Sequence, residues 1–413
     1  SKIRAKAWRL AEMRITSAPM AHNKNQHFVP KAYLRPFGNY DQRSINLYAL
    51  GPKRCVEGAS IKSQCSRNYF YGSEPVFEDF IQYFEGRYGQ AMGRLQQREI
   101  MVSDIGALFD FFVLQYLRTP HQLAQRKETF EAFRNTVIGG KPLHEVHEGA
   151  QKPIDDRREM QQQIYIAAKA GNLLHDLRPV FLINHTKVPF ITSDNPACVT
   201  NRLYTQRYQD HTSGLIQSGT AIFLPLTPRL AFMGYDDEVF HPFGNAVEHH
   251  LWNERDVDRI NELQAQLATQ TLYFTDWKDR EYVERLAERC AGMRRDNWAF
   301  IWTGILDGDD DEFERYRTIT EADAESKAPR VTSVSMYNAA PSSWPSFLKF
   351  KLRPRGYTTG SAVGFVREAH AETKGRKRFR SLVLPTSVPA NKLPQSREVI
   401  YMRKDRNDGL SHS

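Results

Sequence analysis

A change of hydrophobic period near residue 180 constrains this chain more than any other feature. From Phe77, the apolar residues Phe80, Ile81, Phe84, Tyr88, Met92 and Leu95 recur at helical spacing, the pattern left by one buried helix face. Ile105 to Leu117 is apolar almost all round, interrupted by Asp110 and Gln115, and reads as a buried helix. Two more helices are expected around His121 to Val137 and Arg157 to Asp176, divided by Gly139-Gly140 and a polar loop. The text then becomes VFLIN (180–184), VPFIT (188–192), AIFLPL (221–226) and RLAFMGY (229–235). These runs are short, β-branched or aromatic, and punctuated by Pro and Asn, as strands are. A helix over Asp256 to Thr271 and a closing strand LYFT (272–275) follow. Nearer the start, Pro30 and Pro36 bound a short helix, and INLYAL (45–50) and RNYFY (67–71) read as brief strands. The pattern predicts an α+β fold: a helical N-terminal half packed on a small, largely antiparallel sheet, followed by a basic C-terminal extension.

At 413 residues the chain exceeds the ~250–300 at which single cores stop growing. The expected division is an extension over 1–19 before a start at Met20, a core domain over 20–300, an acidic and polar linker over 301–330, and a C-terminal region over 331–413. The linker is marked by Asp307, Asp309, Asp310, Asp311 and Glu312, and the tail by KGRKRFR (374–380). The net charge of +9 permits a polyanionic partner.

Several classes are set aside. No apolar run approaches the ~20 residues of a membrane span, and residues 1–19 lack the apolar core of a secretory signal, so a cytoplasmic protein with no membrane partner is expected. Cys55, Cys65, Cys198 and Cys290 lack CxxC spacing and are expected as reduced thiols. The acidic knot fails as an EF-hand, because positions six and twelve from Asp307 hold Glu312 and Thr318. His144 and His147 lack HExxH spacing and a nearby third ligand. Phosphate-binding GxxxxGK[ST], GxGxxG and the GxSxG nucleophile elbow are absent.

What remains is a set of polar residues inside apolar text. Glu78 and Glu85 share a helix face at the edge of the Phe77/Phe84/Tyr88 stripe. Gln115 and Arg118 stand three apart on a helix too apolar to be exposed, so the guanidinium needs an anionic partner, and Glu78 or Glu85 is the candidate. The bland reading is an ion pair locking two helices; the functional one is a catalytic or phosphate-binding arginine. In FITSDNPA (190–197) a strand runs into Asp194, Asn195 and Pro196, which makes either an Asx-turn or a loop-mounted carboxylate. His27, before the apolar FVP, is either a packed core histidine or a base or ligand.

Taken together, NQHFVPKAYLRPF, the helical segment with Glu85, LQYLRTP, PFITSDNP, FLPLTPR and RINELQAQLA resemble the proteins grouped as domain of unknown function 4238, over about residues 23–275. The resemblance implies a shared core and shared polar positions: Asn25, Gln26, His27, Tyr33, Glu85, Gln115, Arg118, Ser193, Asp194, Asn195 and Asn261. It implies no reaction. A polar set drawn from separate segments suggests a converged pocket.

Two functions fit these residues. One is a metal-assisted hydrolase of phosphodiester or nucleotide bonds, a nuclease of bacterial defence or toxin type. There Glu85 and Asp194 would hold Mg²⁺, His27 would act as base or ligand, and Arg118 would meet a phosphate. Asn25, Gln26, Tyr33, Gln115, Asn195 and Asn261 would then line the substrate site. The other is a non-catalytic module that binds a nucleotide or RNA through the same groups, with the basic tail adding affinity.

Overall fold

The computed structural model describes residues 25–72, 75–138, 155–169, 173–207, 213–241, 247–295, 299–309, 313–323, 326, 328–358, 364–371, 380–384 and 399–403. The extension over 1–19, Met20, His144, His147 and most of KGRKRFR lie outside them.

The chain opens with β1 (Asn25–His27), the short helix α1 (Lys31–Leu34), β2 (Ser44–Ala49), β3 (Arg54–Ser60) and β4 (Ser66–Asn68). Four helices follow: α2 (Pro75–Gln96), α3 (Val102–Leu117), α4 (Pro120–Ile138) and α5 (Asp156–Lys169). The α3 start is fixed by Asp104, whose carboxylate accepts the Met101 N–H at 2.9 Å. Its end is set by Pro120, which opens α4 where its missing N–H costs nothing. Strands then dominate: β5 (Arg178–Asn184), β6 (Thr192–Ser193), β7 (Cys198–Asn201), β8 (Thr220–Thr227), β9 (Leu230–Tyr235) and β10 (Glu248–Leu251). Helix α6 (Glu254–Leu267), β11 (Thr271–Phe274) and α7 (Arg280–Arg289) precede β12 (Ala299–Asp309), β13 (Phe313–Thr318), β14 (Arg330–Met336), β15 (Arg355–Thr358), α8 (Glu368–Ala371), β16 (Arg380–Val383) and β17 (Val399–Arg403).

Among the described residues five sheets result, ordered β1-β4, β10-β5-β9-β8-β7, β3-β2-β11-β6, β14-β12-β13-β17 and β15-β16. Among these residues every strand pairing is antiparallel except β10 with β5. The α+β expectation holds, with several small sheets in place of one. The helical layer joins the five-stranded sheet where Phe109 of α3 meets Phe232 of β9 edge-on at 5.0 Å, and within the layer Tyr88 of α2 stacks on Phe111 of α3 at 4.0 Å. Each such buried ring contributes on the order of 1.5–3 kcal/mol. Gly234 permits the approach, since a Cβ there would lie 2.7 Å from Phe109 Cε1.

Three expectations need correction. Of VPFIT only Thr192 enters a strand. Pro189 has no N–H, and the Asn261 carboxamide takes the Pro189 carbonyl at 2.8 Å and the Ile191 N–H at 3.1 Å, so a side chain replaces a ladder partner. RNYFY is strand only to Asn68, because Tyr69 turns to a φ of 53°. The span 301–330 contains β13 and most of β12 and is no plain linker. Two of its carboxylates meet arginines of β13: Asp307 of β12 pairs across the strands with Arg315 at 2.6 Å and Arg317 at 3.3 Å, and Asp323, in the turn after β13, pairs with Arg317 at 2.6 Å.

Part of the C-terminal region is likewise built into the core. Val366 and Leu384 are buried, and the buried Arg367 bonds Asp176 at 2.5 Å and the Leu173 carbonyl at 2.7 Å. Removing everything after Pro354 would therefore expose core, so the tail's charge is better tested by substituting KGRKRFR.

One buried carboxyl gives this sheet region a pH dependence. Asp236, just past β9, accepts the Gly219 N–H at 2.7 Å and the Glu238 N–H at 3.0 Å. Burial nevertheless pushes its pKa up to about 6, against the opposing effect of those bonds and of Arg367. The folded protein thus holds this proton more tightly than the unfolded chain, and the associated stability is lost as pH rises from about 4 to about 6. Asp236→Asn should abolish that pH-dependent loss, on the order of 3 kcal/mol across the window. Coincident wild-type and variant stability curves, measured by urea unfolding across that range, would contradict it.

Candidate functional site

Strand β1, the turn after β4, and helices α2 and α3 bring one polar cluster together. Gln26 reaches across: its amide donates to the Gly72 carbonyl at 2.8 Å, and its oxygen accepts the Tyr71 N–H at 2.7 Å. Tyr71 Oη in turn donates to the His27 carbonyl at 3.1 Å. From α3, Gln115 Nε2 donates to the Phe28 carbonyl at 2.9 Å, and Gln115 Oε1 accepts Arg118 Nε and Nη2 at 3.1 and 2.9 Å. Arg118 Nη1 completes the set with Glu85 Oε1 at 2.7 Å. Glu85, and not Glu78, is the partner.

The pair is asymmetric. The Arg118 side chain is 0% exposed, whereas that of Glu85 is 26% exposed. A buried guanidinium this fully bonded is held rigidly, and it fixes one carboxylate at the cluster's wet edge. Tyr71 is pushed well above the usual tyrosine range, by burial first, with Arg118 opposing and Glu85 assisting. His27 is lowered to about 4, chiefly by burial, then by Lys31, with Arg118 adding a smaller push and the Gln64 backbone acting the other way. The imidazole is therefore neutral at pH 7, and its Nδ1 is buried without a hydrogen-bond partner. Asn25, bonded to the Lys62 carbonyl at 3.3 Å, lies at the exposed rim. Lys31, Lys62 and Arg67 are exposed around the same ribbon.

The remaining candidates belong to a second network that fastens α6 to the 189–196 segment. Asp194 accepts the Thr269 N–H at 2.9 Å, the Thr269 hydroxyl at 2.7 Å and the Gln270 N–H at 2.8 Å. This capture ends α6 at Leu267, short of the expected Thr271. Burial raises the Asp194 pKa, while these bonds oppose the rise. Asn195 accepts from the Thr119 hydroxyl at 3.1 Å and donates to the Leu267 carbonyl at 3.2 Å. Ser193 donates to Gln264 at 2.9 Å, and Tyr33 donates to the Pro225 carbonyl at 2.6 Å. Asn261 is spent on the Pro189–Ile191 backbone.

Asp194 and Glu85 thus sit in different networks, each with oxygens already bonded, which argues against the pair as one Mg²⁺ site. Among the described residues no group of three or more His, Cys, Asp and Glu side chains is placed to hold a metal ion. The first cluster has one member that sequence reasoning missed, Tyr71. Tyr71 ends RNYFY, a run with the text of a strand, and only its place opposite Gln26 reveals it.

A family of proteins of unknown function, DUF4238, matches residues 25–278. The chain belongs to the DUF4238 family. The matched span begins at β1 and ends just after β11, so both polar networks lie inside the DUF4238 region, while β12 to β17 lie beyond it. No curated protein and no solved structure gives a significant match. Among the described residues of this DUF4238 protein, no helix is long and apolar enough to cross a membrane.

Proposed function

We propose that the β1 ribbon and the His27–Glu85–Arg118 cluster form a recognition site for a nucleotide or an RNA end, binding its phosphate without cleaving it. The observation that carries this reading is the neutral His27, whose buried Nδ1 is unpartnered beside a fully bonded Arg118. A buried polar atom left unpaired costs about 1–3 kcal/mol, which a ligand hydrogen bond would recover. Each Arg118 guanidinium nitrogen already donates once, to Glu85 or to Gln115, and the side chain is buried, so its part is to orient and to supply field; direct phosphate contact falls to the exposed Lys31, Lys62 and Arg67. The net charge of +9 suits a polyanion. The hydrolase reading is weaker, because the Asp194 oxygens are taken up by Thr269 and Gln270.

Full-length protein should bind a 5′-phosphorylated oligoribonucleotide at low salt, with affinity falling as salt rises at a slope near −0.7 per phosphate contact. His27→Ala and Lys31→Glu should each weaken binding about tenfold, and neutralising KGRKRFR should flatten the salt slope. Absence of binding at low salt would remove the proposal. Cleavage of the bound RNA with Mg²⁺ or Mn²⁺ would restore the hydrolase reading.

A further inference from the structure

A polar pocket, separate from the His27–Glu85–Arg118 cluster, lies where the start of α4 meets the strand β7 and the segment after β14. It is lined by Tyr116, His121, Gln125, Asn195, Tyr337 and Asn338 among others, and no charged side chain contributes to it. Its volume is about 20 Å³, room for one water or for the edge of a flat ring. Most of its hydrogen-bonding groups are committed. Asn195 is bonded on both sides, Asn338 donates to the Ser213 hydroxyl at 2.7 Å, and Gln122 is bonded to the Tyr116 hydroxyl. His121 is kept neutral by burial, its pKa lowered to about 4. Gln125 is the exception. Its side chain is buried, the residue being 5% exposed, and its Oε1 has no hydrogen-bond partner.

We infer that this pocket takes the amino-bearing edge of a nucleobase, adenine in the first instance, with Gln125 as the reading residue. An unsatisfied carboxamide oxygen requires an N–H donor. The donor must be uncharged, because the pocket holds no carboxylate to offset the desolvation of a cation. An exocyclic amino group conjugated to a ring meets both conditions, and a carboxamide can pair with adenine through two bonds, accepting from the amino group and donating to a ring nitrogen. Tyr116 and Tyr337 supply aromatic surface for the ring that stays outside. Arg118 and Thr119 are chain neighbours, and Thr119 bonds Asn195, so one turn between α3 and α4 touches both the phosphate cluster and this pocket. The choice of a nucleobase rests on the reading of the preceding subsection; the need for a neutral donor does not.

The test uses nucleosides, which carry no phosphate. Titrated into the full chain and followed by ligand-observed NMR, adenosine should bind at least tenfold more tightly than purine riboside, which differs only in lacking the amino group. Gln125→Leu should erase that difference. The wild-type comparison decides the matter even if the variant folds poorly. Equal binding of the two nucleosides, no binding of either at millimolar concentration, or an undiminished preference in a folded Gln125→Leu protein would each overturn the assignment and leave the pocket to water. Phosphorylated oligonucleotide binding that survives such a result leaves the phosphate site standing, and adenosine binding without oligonucleotide binding does the reverse.

Discussion

Arg118→Met should destabilise the protein by about 3 kcal/mol, at the lower end of the range for breaking a buried ion pair. The substitution strands Gln115 Oε1, which loses both donors at 3.1 and 2.9 Å, and leaves Glu85 without its partner at 2.7 Å. The loss falls at the lower end because Glu85 is 26% exposed and can turn to water. Urea unfolding at constant m-value measures the effect, and a loss under about 1 kcal/mol would place the pair in solvent. The double variant with Glu85→Gln should cost less than the two single changes summed, because the second substitution removes the stranded charge.

Asp194→Ala should cost a similar amount by another route. It withdraws the carboxylate that accepts from two backbone N–H groups and one hydroxyl in the turn between α6 and β11. Buried donors left unpaired cost about 1–3 kcal/mol each, and partial rescue by water sets the total near 3 kcal/mol. Asp194→Asn keeps one acceptor oxygen and should cost less. The two functional readings part company here. A metal-binding aspartate would tolerate either change in thermal stability while losing cleavage, whereas the turn-locking role predicts a lower melting temperature and unchanged RNA affinity.

The parts legible in the sequence were those where period alone sets the outcome. The stripe from Phe77 to Leu95 and the apolar run to Leu117 became α2 and α3, and AIFLPL and RLAFMGY became the paired strands β8 and β9. What failed was local text whose partner is remote. Asn261, seventy residues from Ile191, decides that VPFIT is not a strand. The carboxylates of 307 and 323 read as a solvated linker because their arginines, 315 and 317, count as ordinary charges until the β12–β13 hairpin brings 307 to them and the turn after β13 folds 323 back onto Arg317. The site was legible in half: the polar residues His27, Glu85, Gln115 and Arg118 gather as their burial in apolar text implied. Asp194 and Asn261 share that textual signature yet are spent chiefly on backbone groups, and sequence carries no mark separating a side chain that bonds a turn from one that could meet a ligand.

The strand order β14-β12-β13-β17 also bears on how the chain is made. Strand β13 pairs with β12 on one side as soon as both have left the ribosome, but its other edge waits for Val399–Arg403. At ~5–20 residues per second that wait lasts seconds, long against hairpin formation at ~1–10 μs. During synthesis Phe313–Thr318 is thus an open edge, and its Glu314, Arg315 and Arg317 are the kind of charged edge residues that discourage pairing with a neighbouring chain. The arginines that neutralise Asp307 and Asp323 in the finished fold double as guards of the nascent one.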